Sequence, residues 1–223
     1  MDETNYVPVG NGTEVSLLKF LQEAEIPVHL LIQRKLGRVR ATSPFSSEKK
    51  RSATAIECPD RPHRVAVYVK GAPEVIINLC QSVASNRGSG MFGSDEKQRM
   101  LEVVSGMAAS PLRVIGFAFT EMDLEDWQAL EGRGGPSPER ALEDALNNGA
   151  LALTFIGVFG LKDPLRPKVK SAVTYARDSG KLSVRLVSGD HVETAKAVAL
   201  KSGILKPEEA SKLYSVMSAE DFR

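Results

Sequence analysis

Leu151-Ala152-Leu153-Thr154-Phe155-Ile156-Gly157-Val158-Phe159-Gly160-Leu161-Lys162-Asp163-Pro164-Leu165-Arg166-Pro167 is the stretch that decides the fold. Its first part, Leu151 to Leu161, is apolar apart from Thr154 and the two glycines, Gly157 and Gly160. Such a run is too short for a membrane helix, which needs about 20 apolar residues, and reads as a buried strand. A helix is expected over Pro167–Ser179, with Val169, Val173 and Ala176 inward and Gly180 as its stop. Leu182–Val187 then reads as a second buried strand, and His191–Ser202 as a second helix stopped by Gly203. Strand, helix, strand, helix implies a parallel sheet with right-handed crossovers.

That arrangement places two carboxylates. Asp163 lies just past the first of these strands and Asp190 just past the second. Ligands of open parallel sheets bind at the carboxyl edge, so both are expected to face one crevice. Asp190 follows Ser188-Gly189 and precedes a helix, a setting in which backbone N–H groups and the helix N-terminus favour an anion. A carboxylate among phosphates calls for a cation, and Mg²⁺ is the natural one. The plainer alternative is that Asp190 caps its helix and Asp163 opens a turn before Pro164. On these residues alone the two readings stand level.

Working outward, the organisation changes near residue 150. Upstream of it, short strands and helices mix without regular alternation. Thr13–Ala24 is expected to be a helix after the Gly10-Asn11-Gly12 turn, with Val15, Leu18 and Leu21 on one stripe. Val39–Phe45, Arg51–Glu57 and Arg64–Lys70 read as strands, the last with Val65, Val67 and Val69 on one face. Cys58-Pro59-Asp60-Arg61-Pro62-His63 can close a hairpin between the second and third. Pro73 opens a helix through Cys80. Ser94–Met107 reads as a helix capped by Ser94 and Asp95, with Leu101, Val104 and Ala108 inward, and Leu112–Thr120 as an apolar strand. Glu121–Gly149 is acidic and turn-rich, an exposed excursion around Arg133–Pro138 followed by a short helix ending at Gly149.

Bulk composition narrows the classes of function. The 223 residues suffice for one large domain or two modest ones, and a formal net charge of +1 gives no bulk attraction to nucleic acid or anionic lipid. Met1-Asp2-Glu3-Thr4 has no basic or apolar start, so no secretory signal is expected. Cys58 and Cys80 form neither a disulfide framework nor a metal cluster, which fits a reducing compartment. Asn11-Gly12-Thr13 matches a glycosylation pattern but reads as a bare turn. Gly88-Ser89-Gly90-Met91-Phe92-Gly93 fits G-x-G-x-x-G, yet it follows a helix and the polar stretch Ser82–Arg87 rather than a strand, and reads as a flexible loop. No Walker A sequence is present. His29, His63 and His191 lack metal-ligand spacing.

Several segments together resemble P-type ATPases. Lys70-Gly71-Ala72-Pro73-Glu74 matches the Lys-Gly-Ala signature of the nucleotide domain. Asp163-Pro164-Leu165-Arg166-Pro167 is similar to the Asp-Pro-x-Arg motif of the phosphorylation domain. Val187-Ser188-Gly189-Asp190-His191, followed by Thr194-Ala195-Lys196-Ala197-Val198-Ala199, resembles the Thr-Gly-Asp motif and its helix. The three occur in family order at family-like separations. Finer likeness is to plasma-membrane-type calcium pumps: Val9–Leu18 resembles their Gly-Asn-x-Thr-Glu stretch, and Phe45–Ser52 their Phe-Ser/Asn segment with its basic pair. Leu112-Arg113-Val114-Ile115 resembles the Leu-Arg strand that closes the nucleotide site, and Ser218–Arg223 the Glu-Gly-x-Glu-Phe that follows. The likeness is weakest over 121–149.

The resemblance implies an α/β chain: an α+β nucleotide-binding domain with an antiparallel sheet over 1–150, then a partial Rossmann-like, HAD-like parallel βαβα phosphorylation segment over 151–223. It further implies that Phe45 stacks on adenine, Glu14 accepts from the adenine amino group, and Lys50, Lys70 and Gly71 line the adenosine pocket. Arg113 would reach the polyphosphate. Ser188 and Gly189 would contact the γ-phosphate, Asp190 would help arrange Mg²⁺, and Asp163 and Arg166 would orient the same edge. An aromatic face holds any base, and cations in a partly dry pocket hold phosphates. Without the family, Phe45 would read as a core aromatic, Lys49-Lys50-Arg51 as a solvated run and Glu14 as a helix-start acid.

Departures from the pattern bound the activity. The family nucleophile, the aspartate of Asp-Lys-Thr-Gly-Thr, does not occur, nor does the later Gly-Asp-Gly-x-Asn-Asp segment or any transport helix. Ser52 departs from the usual Lys-Ser-Met-Ser, Ser188 stands for the usual Thr, and one extra residue lies around Lys181-Leu182. The chain is therefore expected to bind ATP with Mg²⁺ at the cytosolic face of a membrane without catalysis, as a monomer. Its partners would be the actuator, membrane and remaining phosphorylation segments of a calcium pump, with no nucleic acid. The alternatives are a pump for sodium, protons or lipids, a stand-alone nucleotide-binding or interaction module, and a small phosphatase of the related aspartate-nucleophile fold.

Overall fold

Three alternating strands build the wall that carries the candidate site. In the computed structural model, which describes residues 8–35, 37–86, 88–109, 112–133, 137–162, 165–190, 192–218 and 220–222, β1 (Val39–Ser43), β2 (Arg51–Glu57) and β3 (Arg64–Gly71) form an antiparallel meander. Val65, Val67 and Val69 are all buried, as their period of two requires. β3 pairs antiparallel with β6 (Leu112–Asp123), opposing Lys70 to Phe117 and Gly71 to Gly116. The seven-stranded sheet runs β1-β2-β3-β6-β7-β4-β5, with β4 (Cys80–Ser85), β5 (Gly88–Met91) and β7 (Leu153–Lys162) completing it.

The helices divide by what they cover. α1 (Gly12–Glu23) is capped by Asn11, whose side chain accepts from the Glu14 N–H at 2.9 Å. α2 (Val28–Lys35) follows it. α3 (Pro73–Leu79) starts on Pro73, where the missing N–H costs nothing, and packs on β3. α4 (Ser94–Ala109) begins beside Gly93, whose N–H donates to Glu96 at 2.7 Å. α5 (Leu124–Arg133) and α6 (Pro138–Asn147) pack on each other, and α6 also packs on β1. α6 is capped by Ser137 and buries Ala141, Leu142, Ala145 and Leu146, one stripe at helical spacing.

By compactness the chain divides into two units, Met1–Lys97 with Ile115–Val158, and Gln98–Val114 with Phe159–Arg223. In the second, α7 (Val169–Asp178) packs on α8 (Val192–Ser202), and Val169, Val173 and Ala176 are half-buried on α7 together with Arg177.

Three local expectations need correcting. Leu182–Val187 is not a buried strand: among the described residues no strand pairs with it, and Val187 is 95% exposed. Apolar β-branched sequence makes a strand only when a ladder partner takes up its backbone groups. The parallel neighbour of β7 is β4 instead, through Cys80–Leu153 and Val83–Phe155. Gly88–Met91, expected within a flexible loop, is the strand β5, paired antiparallel with β4. The acidic stretch after Glu121 is not merely turn-rich, since it opens with α5, which buries the single tryptophan, Trp127, whereas the short helix expected before Gly149 is α6. Residues 134–136 lie outside the described residues.

Candidate functional site

The site grows from one end of β3 and the loop that joins β1 to β2. Lys70 ends β3's alternation, and Gly71 follows because nothing larger fits. A Cβ on Gly71 would lie 2.4 Å from the Lys50 carbonyl oxygen and 2.8 Å from the Arg51 Cα. This close approach lets the Ala72 N–H donate to the Lys50 carbonyl at 2.9 Å, fastening the loop's end to the start of α3. Within the loop, the Lys50 N–H donates to the Ser46 carbonyl at 2.8 Å and the Lys49 N–H to Ser46 Oγ at 3.2 Å. Lys50 itself takes a left-handed φ of 52°, uncommon for a residue with a Cβ.

On this pinned loop Phe45 is 61% exposed. A core aromatic is the plainer reading of a phenylalanine, and that reading fails here. Glu14, in the first turn of α1, accepts from Lys70 Nζ at 2.7 Å, so the structure brings these two sequence-predicted residues together. Glu14, Phe45, Lys50, Lys70 and Gly71 all belong to the first compact unit.

The remaining predicted residues fall in the second unit. Arg113 donates to Asp190 at 3.3 Å, and Ser188 Oγ donates to the other Asp190 oxygen at 3.0 Å. Ser188 Oγ also accepts from the Asp190 N–H at 3.1 Å. Gly189 has open space where a Cβ would sit, so backbone could approach a ligand there. Arg166 is exposed in the turn before α7, its carbonyl accepting from the Val169 N–H at 3.2 Å. Asp163 and His191 lie outside the described residues. Among the described residues, no group of three His, Cys, Asp or Glu could hold a metal ion unaided. Burial pushes the Cys80 thiol up to about 12, which excludes it as a nucleophile at neutral pH.

One group of residues escaped the sequence reading. Glu143 on α6 accepts from Ser43 Oγ, lies 3.2 Å from Lys49 Nζ and accepts from Arg51 Nη2 at 3.1 Å. Arg51 also donates to Asn147, one turn further along α6, at 2.7 Å. Burial pushes the Glu143 carboxyl up, but hydrogen bonds from Ser43 and Lys49 and the Arg51 charge outweigh it and leave the group below the usual carboxylate range. The short helix before Gly149 was readable. Its meeting with residues more than ninety positions away was not.

An outward aromatic on a pinned loop, with a lysine and a carboxylate at a sheet end, has the chemistry to stack on and hydrogen-bond a ligand of the planar-base class. Family comparison gives this class its place: residues 2–168 match the family model described as P-type ATPase, cytoplasmic domain N, and the chain belongs to that family. It is similar to calcium-transporting ATPase 2, plasma membrane-type, of Arabidopsis thaliana, 36% identical over 78% of this chain and 15% of the relative. It is also similar to plasma membrane calcium-transporting ATPase 1 of Gallus gallus, 34% identical over 90% of this chain and 16% of the relative. A third relative, calcium-transporting ATPase 7, plasma membrane-type, of Oryza sativa subsp. japonica, is 31% identical over 96% of this chain. The chain spans 15 to 20% of the length of the relatives it matches. Among the described residues no helix is long and apolar enough to cross a membrane.

Proposed function

We propose that this chain is the ATP-binding portion of a P-type calcium-transporting ATPase, acting at the cytosolic face of a membrane. The observation that carries the proposal is the exposed Phe45 ring on a loop tied at its Lys50 end, with the Lys70–Glu14 pair at the adjoining strand end. An exposed ring costs burial energy unless a ligand covers it, and an adenine face is a suitable cover.

In this reading residues 1–150 are the nucleotide-binding domain and 151–223 part of the phosphorylation domain. Phe45 stacks on adenine, Glu14 accepts from its amino group, and Lys50, Lys70 and Gly71 line the adenosine pocket. Arg113 takes the polyphosphate, exchanging the Asp190 carboxylate for a phosphate oxygen. Ser188 and Gly189 meet the terminal phosphate, with Asp163 and Arg166 orienting that edge. Asp190 would help hold the Mg²⁺ that accompanies ATP, and the ion would neutralise phosphate charge there.

In the parent pump a catalytic aspartate attacks the γ-phosphorus, the bond to the β–γ bridging oxygen breaks with ADP leaving, and the aspartyl phosphate drives calcium movement. That nucleophile motif is not in this sequence, so the chain alone binds nucleotide without hydrolysing it. The test is an ATP titration followed by backbone amide shifts. Saturable movement near Phe45 and Lys70, with micromolar-to-millimolar affinity, is the expected result. Silence at those residues up to about 10 mM ATP would overturn the proposal.

A further inference from the structure

We infer that Glu143 on α6 is a positioning residue for the loop that presents Phe45 and Lys50, an inference that rests on the nucleotide reading of that loop. Its carboxylate touches all three parts of the hairpin. Ser43 is the last residue of β1, Lys49 lies in the loop and Arg51 is the first residue of β2. One carboxylate thus closes the mouth of the loop while Phe45 stays outside it.

The strut is stiff for physical reasons. α6 is capped by Ser137 and anchored through Ala141, Leu142, Ala145 and Leu146, so Glu143 projects from a fixed helix. Arg51 is only 6% exposed, and its guanidinium needs a buried counter-charge. Asn147 takes a second bond from the same nitrogen one helical turn away, which fixes the angle of the guanidinium against α6. A loop held this way has less freedom to lose when a base arrives, and preorganisation of that kind appears as affinity. Without the strut, the loop keeps, among the described residues, its internal Ser46 bonds and the Lys50–Ala72 tie.

The test compares Glu143→Ala and Glu143→Gln with a control, Asp144→Asn, whose carboxylate faces solvent 3.9 Å from Arg140. Two quantities are read in each: the ATP Kd by calorimetry, and amide hydrogen exchange of residues 44–50 in the nucleotide-free protein. Glu143→Ala is expected to weaken ATP about 10-fold and to speed exchange in the loop while β3 and β6 stay protected. Glu143→Gln should fall between, since its amide still accepts from Ser43 but holds no ion pair. Asp144→Asn should match the wild type.

A folded Glu143→Ala with loop exchange and Kd within about twofold of wild type overturns the inference. So does a uniform rise in exchange across β1–β3 with Kd unchanged, the mark of a merely structural role. If Glu143→Ala does not fold, Glu143→Gln and Lys49→Ala decide in the same way. Failure of the wild type to bind ATP would overturn the nucleotide reading instead, and the exchange measurement would still show whether Glu143 holds the loop.

Discussion

Lys70 Nζ donates to Glu14 Oε1 at 2.7 Å, joining the end of β3 to the first turn of α1 across 56 positions of sequence. Both side chains are well exposed, so the pair is worth at most about 1 kcal/mol to the fold. Its importance lies in binding: in the free protein the proposed adenine acceptor is already engaged, and a nucleotide must share or replace that bond. Guanine carries a carbonyl where adenine carries an amino group. Glu14→Gln is therefore expected to narrow the preference for ATP over GTP, measured as the ratio of their Kd values, by about 10-fold. An unchanged ratio would remove Glu14 from the base pocket.

Phe45 separates affinity from stability. With most of its ring in solvent, Phe45→Ala should change unfolding free energy by no more than about 0.5 kcal/mol. ATP affinity should fall by about 10-fold, within the range for loss of one aromatic–base stack, and Phe45→Trp should retain it. A large loss of stability without loss of affinity would reverse this assignment.

Gly71→Ala should do the opposite. The added methyl would meet the Lys50 carbonyl at 2.4 Å, and backbone cannot yield as a side-chain tip can. Denaturant unfolding is expected to show a loss of about 2–4 kcal/mol, because the hairpin must separate from β3 to admit it. Wild-type stability in this variant would mean that the approach of Lys50 to Gly71 is looser than described.

The Glu143 cluster gives the fold a pH signature. A carboxyl held below its unfolded value of about 4.3 stabilises the fold above that pH and loses the contribution as pH falls through the lower folded value. Denaturation midpoints of wild type and Glu143→Gln should therefore run parallel from about pH 7 to 5 and draw together as pH falls from the unfolded value of about 4.3 through the lower folded value. Curves that stay parallel throughout would show that the carboxyl is not held down by Ser43, Lys49 and Arg51.

How much of this was legible depended on whether local pattern or distant pairing decides each element. β2 was readable over Arg51–Glu57, β3 from the Val65, Val67 and Val69 alternation, and α1 from its Asn11-Gly12 start. β4 and β5 were not, because serine- and glycine-rich strands are made by their partners rather than by their own propensity. Leu182–Val187 shows the converse, with strong propensity and no strand partner among the described residues. The composition change near residue 150 is visible in the sequence. The grouping of 98–114 with 159–223 depends on the folded chain and leaves no local trace. At the site, residue types came from motif resemblance, whereas the Lys70–Glu14 bond, the Gly71 clearance and the Glu143 strut needed coordinates.

The most direct measurement is of contacts between adenine protons and the Phe45 ring in the ATP-saturated protein, by intermolecular nuclear Overhauser effects. The account predicts cross-peaks from adenine H2 or H8 to the Phe45 ring protons, lost in Phe45→Ala. Saturated protein with no such cross-peaks, or with adenine contacts to a different ring, would contradict it.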